Sequence, residues 1–198
     1  MTANRKVLRL DRYFPSTRPV ASPSAQTNSL CGVNEDPKGM SSTILTVLEQ
    51  LKVEGGHLYY VLLLQYQYGL RVSEALNLRC SQISKGGKIL VNGSKGSADR
   101  IIVVPELARF GANSLVGDYK IFPYISRFHV YREYKKRGIS LALNGTNKRA
   151  VTHAPRHVAI NEVNELSKSK EKTRQFIGHK SIKSTEHYVR NKKNKNSY

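Results

Sequence analysis

Cysteine and long apolar runs are scarce in this chain of 198 residues. Its two cysteines, Cys31 and Cys80, lie too far apart to form a metal-spaced pair, so neither a zinc site nor a disulfide framework is indicated. No apolar run approaches the ~20 residues that a membrane-spanning helix needs, and no secretory signal is visible. We therefore expect an intracellular protein that has no membrane partner.

Acidic residues are few as well. The chain has 33 Lys and Arg residues against 14 Asp and Glu residues, which gives a formal net charge of +19. This excess is typical of a protein that binds nucleic acid, although charge alone leaves ribosome association or a membrane surface open. Hydrophobic residues make up 39% of the chain, close to the usual globular mix, and the length suits one domain with a core.

Residues 1–40 differ in composition from the rest of the chain. They contain four prolines and many Ser, Thr and Asn residues without an apolar period, which predicts a flexible, basic Ser/Pro-rich arm. The Arg and Ser content of the first 30 residues also leaves an organelle transit peptide open. Residues 41–198 are predicted to form the folded domain.

From Ser41 onward, the spacing of apolar residues predicts a mainly α domain with a small β-hairpin. Ser41 or Ser42 is a candidate cap for the first helix, and a short helix is expected from Ser73. Further helices are predicted at residues 56–68, 119–137, 153–166, 170–177 and 182–190. Residues 88–91 and 101–104 are rich in β-branched side chains and flank a polar, glycine-bearing segment, which predicts the hairpin.

Four short segments carry residue types that suit chemistry on a phosphate. They are residues 69–78 with Arg71 and Glu74, residues 94–96 with Lys95, residues 153–157 with His153 and Arg156, and residues 177–188 with His179 and Tyr188. Each segment alone is a weak signal, because an exposed arginine, a lysine at a hairpin tip and a buried tyrosine are all ordinary. In this order and at these separations, the four together are a strong one.

The segments resemble the tyrosine recombinase/integrase family, which includes the phage integrases. Residues 69–78 match its Gly-Leu-Arg-x-Ser-Glu-x-x-x-Leu motif throughout. Residues 177–188 match its Leu-Gly-His-x-Ser-Ile-x-x-Thr-x-x-Tyr box, with Ile177 in place of Leu. The resemblance covers about residues 41–190 and implies the family's catalytic-domain fold, together with a site-specific recombinase activity on double-stranded DNA, as in mobile elements.

The resemblance also implies a catalytic role for six side chains, namely Arg71, Lys95, His153, Arg156, His179 and Tyr188. Tyr188 would be the nucleophile that forms a covalent phosphotyrosyl bond to DNA. The planar guanidinium groups of Arg71 and Arg156 would hold the non-bridging phosphate oxygens and stabilise the more negative transition state.

The remaining side chains would handle protons and orientation. Lys95 would protonate the leaving 5′ oxygen, His153 would take or relay the tyrosine proton, and His179 would hydrogen-bond the phosphate. Glu74 is expected to orient an arginine or a histidine. Because the arginines supply the electrostatic stabilisation, we expect no cofactor, neither a metal ion nor ATP.

Eight more basic residues are candidates for DNA contact, namely Lys120, Arg127, Arg132, Lys135, Lys136, Arg137, Lys148 and Arg149. The first six fall on the helix predicted at residues 119–137, for which a merely solvated basic face is the alternative. The family resemblance further implies self-association on DNA, as a tetramer, and a location with DNA in the cytoplasm or nucleoid, with an organelle still possible.

Two features depart from the family pattern. Pro155 stands before Arg156 where a leucine is common, and a proline is expected only near a helix start because it lacks an N–H. No helical-bundle pattern precedes residue 41, so we expect either a minimal recombinase or a truncated remnant. The alternatives left open are a DNA-binding protein that no longer cleaves, a type IB topoisomerase-like enzyme and a basic RNA-associated protein.

Overall fold

The structure of this chain, a computed structural model, describes residues 37–93, 97–112, 117–141 and 148–189. Within these segments it contains eight α-helices and one antiparallel pair of strands. In chain order they are α1 (Pro37–Glu54), α2 (His57–Gln67), α3 (Val72–Leu76), β1 (Lys88–Val91), β2 (Arg100–Val103), α4 (Ala108–Ala112), α5 (Arg127–Lys136), α6 (Lys148–Ser167), α7 (Lys170–Ile177) and α8 (Ile182–Val189). The prediction of a mainly α domain with a small hairpin is confirmed. The domain boundary predicted at residue 41 stays a prediction.

The core forms where α1, α2 and α6 pack on one another. Helix α2 is apolar around nearly its whole circumference, as a central helix should be, and Leu62 and Leu64 are fully buried. Helix α1 contributes a single buried stripe at helical spacing, formed by Met40, Ile44, Leu48 and Leu51. Each such side chain stabilises the fold by about 1.5–3 kcal/mol when it leaves water.

Helix α1 begins earlier than the sequence predicted. Its first described residue is Pro37, and a proline suits the first helical turn because its φ is preset and its missing N–H has no role there. Ser42 Oγ donates to the Gly39 carbonyl inside the helix, and Ser41 Oγ lies 2.8 Å from Tyr66 Oη on α2. The prediction that one of these serines caps the helix is therefore wrong.

The helix predicted at residues 119–137 is shorter in the structure, where α5 begins at Arg127. Ser126 caps it, since its side chain accepts a hydrogen bond from the N–H of His129 at 3.0 Å. The preceding segment is extended or turned, and Lys120 lies there and not on a helix. The cap fixes the helix start, and the apolar spacing did not reveal it.

Helix α6 is longer than predicted and places Pro155 in its interior, so the expectation that this proline marks a helix start is wrong. A proline in a helix cannot donate to the carbonyl four residues before it, here that of Val151, a defect that costs ~3 kcal/mol. The neighbouring Ala154 and Val158 are buried, and packing on both sides offsets the missing bond. Helix α6 therefore runs unbroken through the His-x-x-Arg segment.

The predicted hairpin is confirmed at β1 and β2, whose register pairs Lys88 with Val103 and Val91 with Arg100. Its inward face buries Ile89, Val91 and Ile102 against the core. The tip, residues 94–96, lies outside the described residues. One residue after β2, Pro105 opens a short 3₁₀ turn, where its missing N–H costs no hydrogen bond.

The helices predicted at residues 170–177 and 182–190 are confirmed as α7 and α8. Ser169 caps α7, and Gly178 ends it in the left-handed conformation at φ 71°. This glycine turns the chain so that His179 enters the domain before α8 begins. Within the segments that the structure covers, no helix combines the length and the apolar character that a bilayer crossing requires.

Candidate active site

Arg71 and Glu74 meet at the start of α3. Arg71 is the residue that precedes the helix, and its backbone N–H donates to Glu74 Oε2 at 3.0 Å. Its guanidinium Nη1 also donates to Glu74 Oε1 at 2.9 Å. This cap, in which Arg71 donates both bonds to the Glu74 carboxylate, brings the two side chains of the Gly-Leu-Arg-x-Ser-Glu motif together.

The Glu74 carboxylate lies at the centre of three arginines. Arg100 Nη2 donates to Oε2 at 2.9 Å, and Arg156 Nη1 lies 3.7 Å from the same oxygen. Burial opposes the charged form, but Arg100, the Arg71 N–H and Arg156 together outweigh it, so the pKa of Glu74 is lowered from its ordinary value. One carboxylate thus faces three cations, and the site keeps an excess of positive charge.

Arg156 is held inside the domain with only 1% of its surface exposed. Its Nη1 donates to the carbonyl of Gly69, which a positive φ of 64° turns toward the site. Its Nη2 lies 3.1 Å from His179 Nε2. Two chain turns, one before α3 and one after α7, therefore meet at a single arginine of α6.

His179 is buried with the nitrogen Nδ1 3.1 Å from Thr185 Oγ1 on α8. Burial, followed by the charges of Arg156 and Arg71, lowers the pKa of His179 to about 4, so the ring is neutral at pH 7. An arginine can only donate, so Nε2 accepts from Arg156 and the ring hydrogen is assigned to Nδ1, which donates to Thr185.

A pH titration of stability tests the lowered pKa of His179. An unfolded histidine takes up a proton near pH 6.5, whereas folded His179 does so only near pH 4, so the unfolded state is favoured as pH falls between these values. We expect the free energy of unfolding to decrease across this window, with a slope approaching ~1.4 kcal/mol per pH unit for the one proton. Urea unfolding at successive pH values measures it.

A His179→Gln variant is the control, because glutamine does not titrate. The wild-type slope minus the variant slope isolates this residue from the other histidines. Equal slopes in both proteins between pH 6.5 and pH 4 would mean that His179 titrates alike in the folded and unfolded chain.

The strand that returns from the hairpin tip lies against the turn after α7. The Ala98 N–H donates to the Gly178 carbonyl at 2.7 Å, and Ser97 forms an isolated bridge with His179. Arg71 Nη1 also donates to Ser97 Oγ. The residues that follow Lys95 in the chain are thus part of the site, while Lys95 itself lies outside the described residues.

Helix α8 carries Tyr188 in its last turn, and the tyrosine side chain is outside the described part of the structure. Contacts of the described side chains that attach α8 include the bond of Thr185 to His179 and an ion pair between Lys170 Nζ and Glu186 Oε1 at 3.0 Å. The second contact is partly exposed and screened by salt, so the buried threonine is the firmer attachment. It lies three residues before Tyr188.

A comparison with protein-family models finds a match to the phage integrase family over residues 41–195, most of the chain. The chain belongs to the phage integrase family. Among solved structures it is similar to a crystal structure of XerA recombinase, at a TM-score of 0.47 and 19% identity. The similarity covers 83% of this chain and 61% of that chain, so this chain spans under two thirds of XerA's length. A comparison with curated proteins finds no match.

Family membership confirms the resemblance that the four motifs indicated. Of the residues expected to be catalytic in an integrase, Arg71, Arg156 and His179 are brought together around Glu74. His153 lies three residues before Arg156 on α6 and is half-buried. Their catalytic roles stay predictions, as does that of Lys95.

Three contributors to this integrase site were missed from the sequence. Arg100 and Ser97 are not among the residues that the sequence motifs single out. Thr185 stands inside the motif that ends in Tyr188, and that position was the signal available for it. Ser97 and Arg100 each bond to a residue 26 positions away, and such pairs leave no trace in local spacing.

The basic residues expected to contact DNA divide into four groups. Those exposed on α5 are Arg127, Arg132, Lys135 and Lys136. Arg137, at the end of α5, is instead engaged by Glu133 and Glu54, so it is less available to a phosphate than predicted. Lys120 is exposed off the helix, where its Nζ bonds to Asn77. Lys148 and Arg149 begin α6, and their side chains lie outside the described part.

The described residues contain no group of potential metal ligands. Across residues 37–93, 97–112, 117–141 and 148–189, no three His, Cys, Asp or Glu side chains are grouped so that they could hold a metal ion.

Proposed function

We propose that this chain is a site-specific DNA recombinase that cuts and rejoins DNA through a covalent 3′-phosphotyrosyl bond to Tyr188. The observation that carries the proposal is the convergence of Arg71 and Arg156 on the buried Glu74, with His179 against Arg156. The helix α8, whose last turn contains Tyr188, begins three residues after His179. Membership of the phage integrase family supports recombination as the class of function.

The charge of the site suits a phosphodiester. Arg71, Arg100 and Arg156 carry three positive charges against the single carboxylate of Glu74, so an entering phosphate meets a net positive, largely dry environment. Guanidinium groups bind phosphate oxygens through paired N–H donors and become more effective as charge builds in the transition state.

The reaction exchanges one phosphate ester for another. Tyr188 Oη attacks phosphorus, a bond to the tyrosine oxygen forms, and the bond from phosphorus to the 5′ oxygen breaks. Tyrosine ordinarily loses its proton near pH ~10, so a base must take it near neutral pH, and His153 is the proposed acceptor or relay. Lys95 is the proposed donor to the 5′ oxygen. Attack by a 5′ hydroxyl reverses these steps and needs no ATP.

Two local changes must accompany DNA binding. Arg156 has 1% of its surface exposed, so its guanidinium reaches a phosphate only after the site opens. His179 presents Nε2 as an acceptor to Arg156, so it can donate to the phosphate only when that nitrogen gains a hydrogen. Both changes are met if Arg156 turns from His179 to the phosphate and the ring hydrogen of His179 moves to Nε2, while Nδ1 accepts from the Thr185 hydroxyl instead.

Double-stranded DNA is the proposed partner outside the site. The exposed cations Arg127, Arg132, Lys135 and Lys136 of α5 would contact its backbone, which makes binding salt-dependent. Exchange between two duplexes requires four strands to be cut, and each chain offers one Tyr188. Self-association on DNA is therefore part of the proposal.

A covalent trapping assay tests the function. The purified chain is incubated with labelled duplex DNA from the flanks of its own gene, the reaction is stopped with detergent, and a denaturing gel separates any adduct. We expect an adduct whose DNA-linked peptide, identified by mass spectrometry, contains Tyr188. Strand exchange between two labelled duplexes in the same mixture is expected to follow.

Other outcomes each point elsewhere. Salt-sensitive DNA binding without an adduct would indicate a DNA-binding protein that does not cleave. An adduct with relaxation of supercoiled DNA but no strand exchange would indicate a topoisomerase-like enzyme. Preference for RNA over duplex DNA would contradict the proposal.

A further inference from the structure

Arg100 competes with Arg156 for one oxygen of Glu74. Arg100 Nη2 donates to Oε2 at 2.9 Å, whereas Arg156 Nη1 lies 3.7 Å from it, beyond hydrogen-bond reach. The Arg156 guanidinium instead donates to the Gly69 carbonyl and reaches His179. The two arginines are therefore unequal partners of the same carboxylate.

Arg100 is fixed where it stands by packing as well as by charge. It begins β2, and its side chain is 9% exposed. It passes so close to Gly178 that a Cβ atom on that glycine would lie 2.8 Å from Arg100 Cδ. The side chain thus runs between the turn after α7 and the Glu74 carboxylate.

We propose that Arg100 is a positioning residue for the reaction, because by occupying Glu74 Oε2 it keeps Arg156 from closing onto the carboxylate. Arg156 then stays at His179, from which it turns to the scissile phosphate when DNA binds. This inference rests on the proposed function, in which Arg156 binds that phosphate. Arg100 itself touches no reacting atom.

The alternative position for Arg156, in an ion pair with Glu74 Oε2, lies close to its present one. Without Arg100, Glu74 Oε2 would lose a charged donor at 2.9 Å and would keep the backbone N–H of Arg71 at 3.0 Å. A shift of about 1 Å would bring Arg156 Nη1 to the ~2.8 Å of a charge-assisted hydrogen bond. In a site this buried, the attraction between the two charges is screened little by water. Arg156 would then lie in an ion pair that a phosphate must break.

The variant that tests this is Arg100→Met, which removes the charge and keeps a chain of similar shape. We expect single-turnover cleavage to fall ~30-fold or more while DNA affinity stays within ~3-fold. Arg79→Met is the matched control, since it also removes one positive charge but from an exposed pair with Asp118. Its cleavage rate should change less than ~3-fold. Thermal melts confirm that each variant is folded.

Adding Glu74→Gln separates positioning from simple stabilisation. In the wild-type background this change should lower the cleavage rate, because Glu74 also holds Arg71. In the Arg100→Met background it should raise the rate ~5-fold or more, because the charge that captures Arg156 is gone. Arg100→Lys, whose ammonium can occupy Oε2, should restore part of the rate. A double variant that cleaves more slowly than Arg100→Met would overturn the proposal.

A crystal structure of the Arg100→Met protein gives a readout that does not depend on cleavage. The distance from Arg156 Nη1 to Glu74 Oε2 should contract from 3.7 Å to hydrogen-bond length. An unchanged distance would overturn the inference even if the variant cleaved slowly. If the wild-type chain formed no DNA adduct, the proposed function would fail, and the contracted distance would still establish what Arg100 does to Arg156.

Discussion

A Tyr188→Phe protein is expected to form no covalent DNA adduct and to keep its affinity for DNA within about twofold. The substitution removes one hydroxyl oxygen and leaves the aromatic ring, so binding through the basic surface is unaffected. Removal of a nucleophile takes away the whole covalent route, and losses of at least ~10⁴-fold are typical of such changes. Adduct yield on a denaturing gel and a salt-dependent binding titration measure the two quantities side by side.

The chain supplies its own control for this test. It contains 11 tyrosines, and Tyr198 lies ten residues beyond Tyr188. A Tyr198→Phe protein carries the same chemical change outside the family box and should form adduct at the wild-type rate. Loss of adduct in the Tyr198 variant, or persistence of adduct in the Tyr188 variant, would show that Tyr188 is not the nucleophile. The match of residues 177–188 to the family's final motif would then be wrong as well.

Most of the fold followed from local patterns. The apolar run at residues 56–68 predicts a central helix, and β-branched residues around a glycine-bearing segment predict the hairpin. Both exist, because burial of a continuous apolar face and tight-turn chemistry are properties of neighbouring residues. The ordered motifs likewise led to the correct family, since its members share local sequence around each polar side chain.

The predicted helix boundaries were wrong where a single side chain outweighed the spacing of apolar residues. The prediction for α5 ran eight residues too far upstream, because apolar and basic spacing continued past Ser126 while the hydrogen bond of that serine to the His129 N–H begins the helix. At Pro155 the predicted helix was instead too short. Propensity places a proline at a helix start, but the buried neighbours of α6 keep the helix continuous through it.

The sequence predicted which residues belong to the site and what each would do, but it did not predict which of them contact one another. That Glu74 faces an arginine was expected, whereas its sharing between Arg71, Arg100 and Arg156 was not. The contact of Glu74 with Arg100 joins residues 26 positions apart, on a helix and a strand. Only the packing of the hairpin against the turn after α7 brings these groups together, and no local pattern encodes that packing.

Glu74→Ala is expected to lower the free energy of unfolding by about 3–5 kcal/mol at pH 7, the usual cost of removing one partner from a buried ion pair. The carboxylate is almost fully buried, and its loss leaves three arginines facing one another at the site. The cap of α3 through the Arg71 N–H is lost at the same time. Urea unfolding monitored by circular dichroism measures the change.

Glu49→Ala is the matched control, because it makes the same substitution on an exposed face of α1 and should change stability by less than ~0.5 kcal/mol. Added inorganic phosphate distinguishes charge repulsion from lost packing. An anion that enters the vacated position pairs with the arginines and binds only the folded state, so phosphate should stabilise Glu74→Ala more than it stabilises the wild type. Equal stabilisation of both proteins would show that the arginine cluster does not take up an anion once Glu74 is gone, which is also the property on which phosphate binding during cleavage depends.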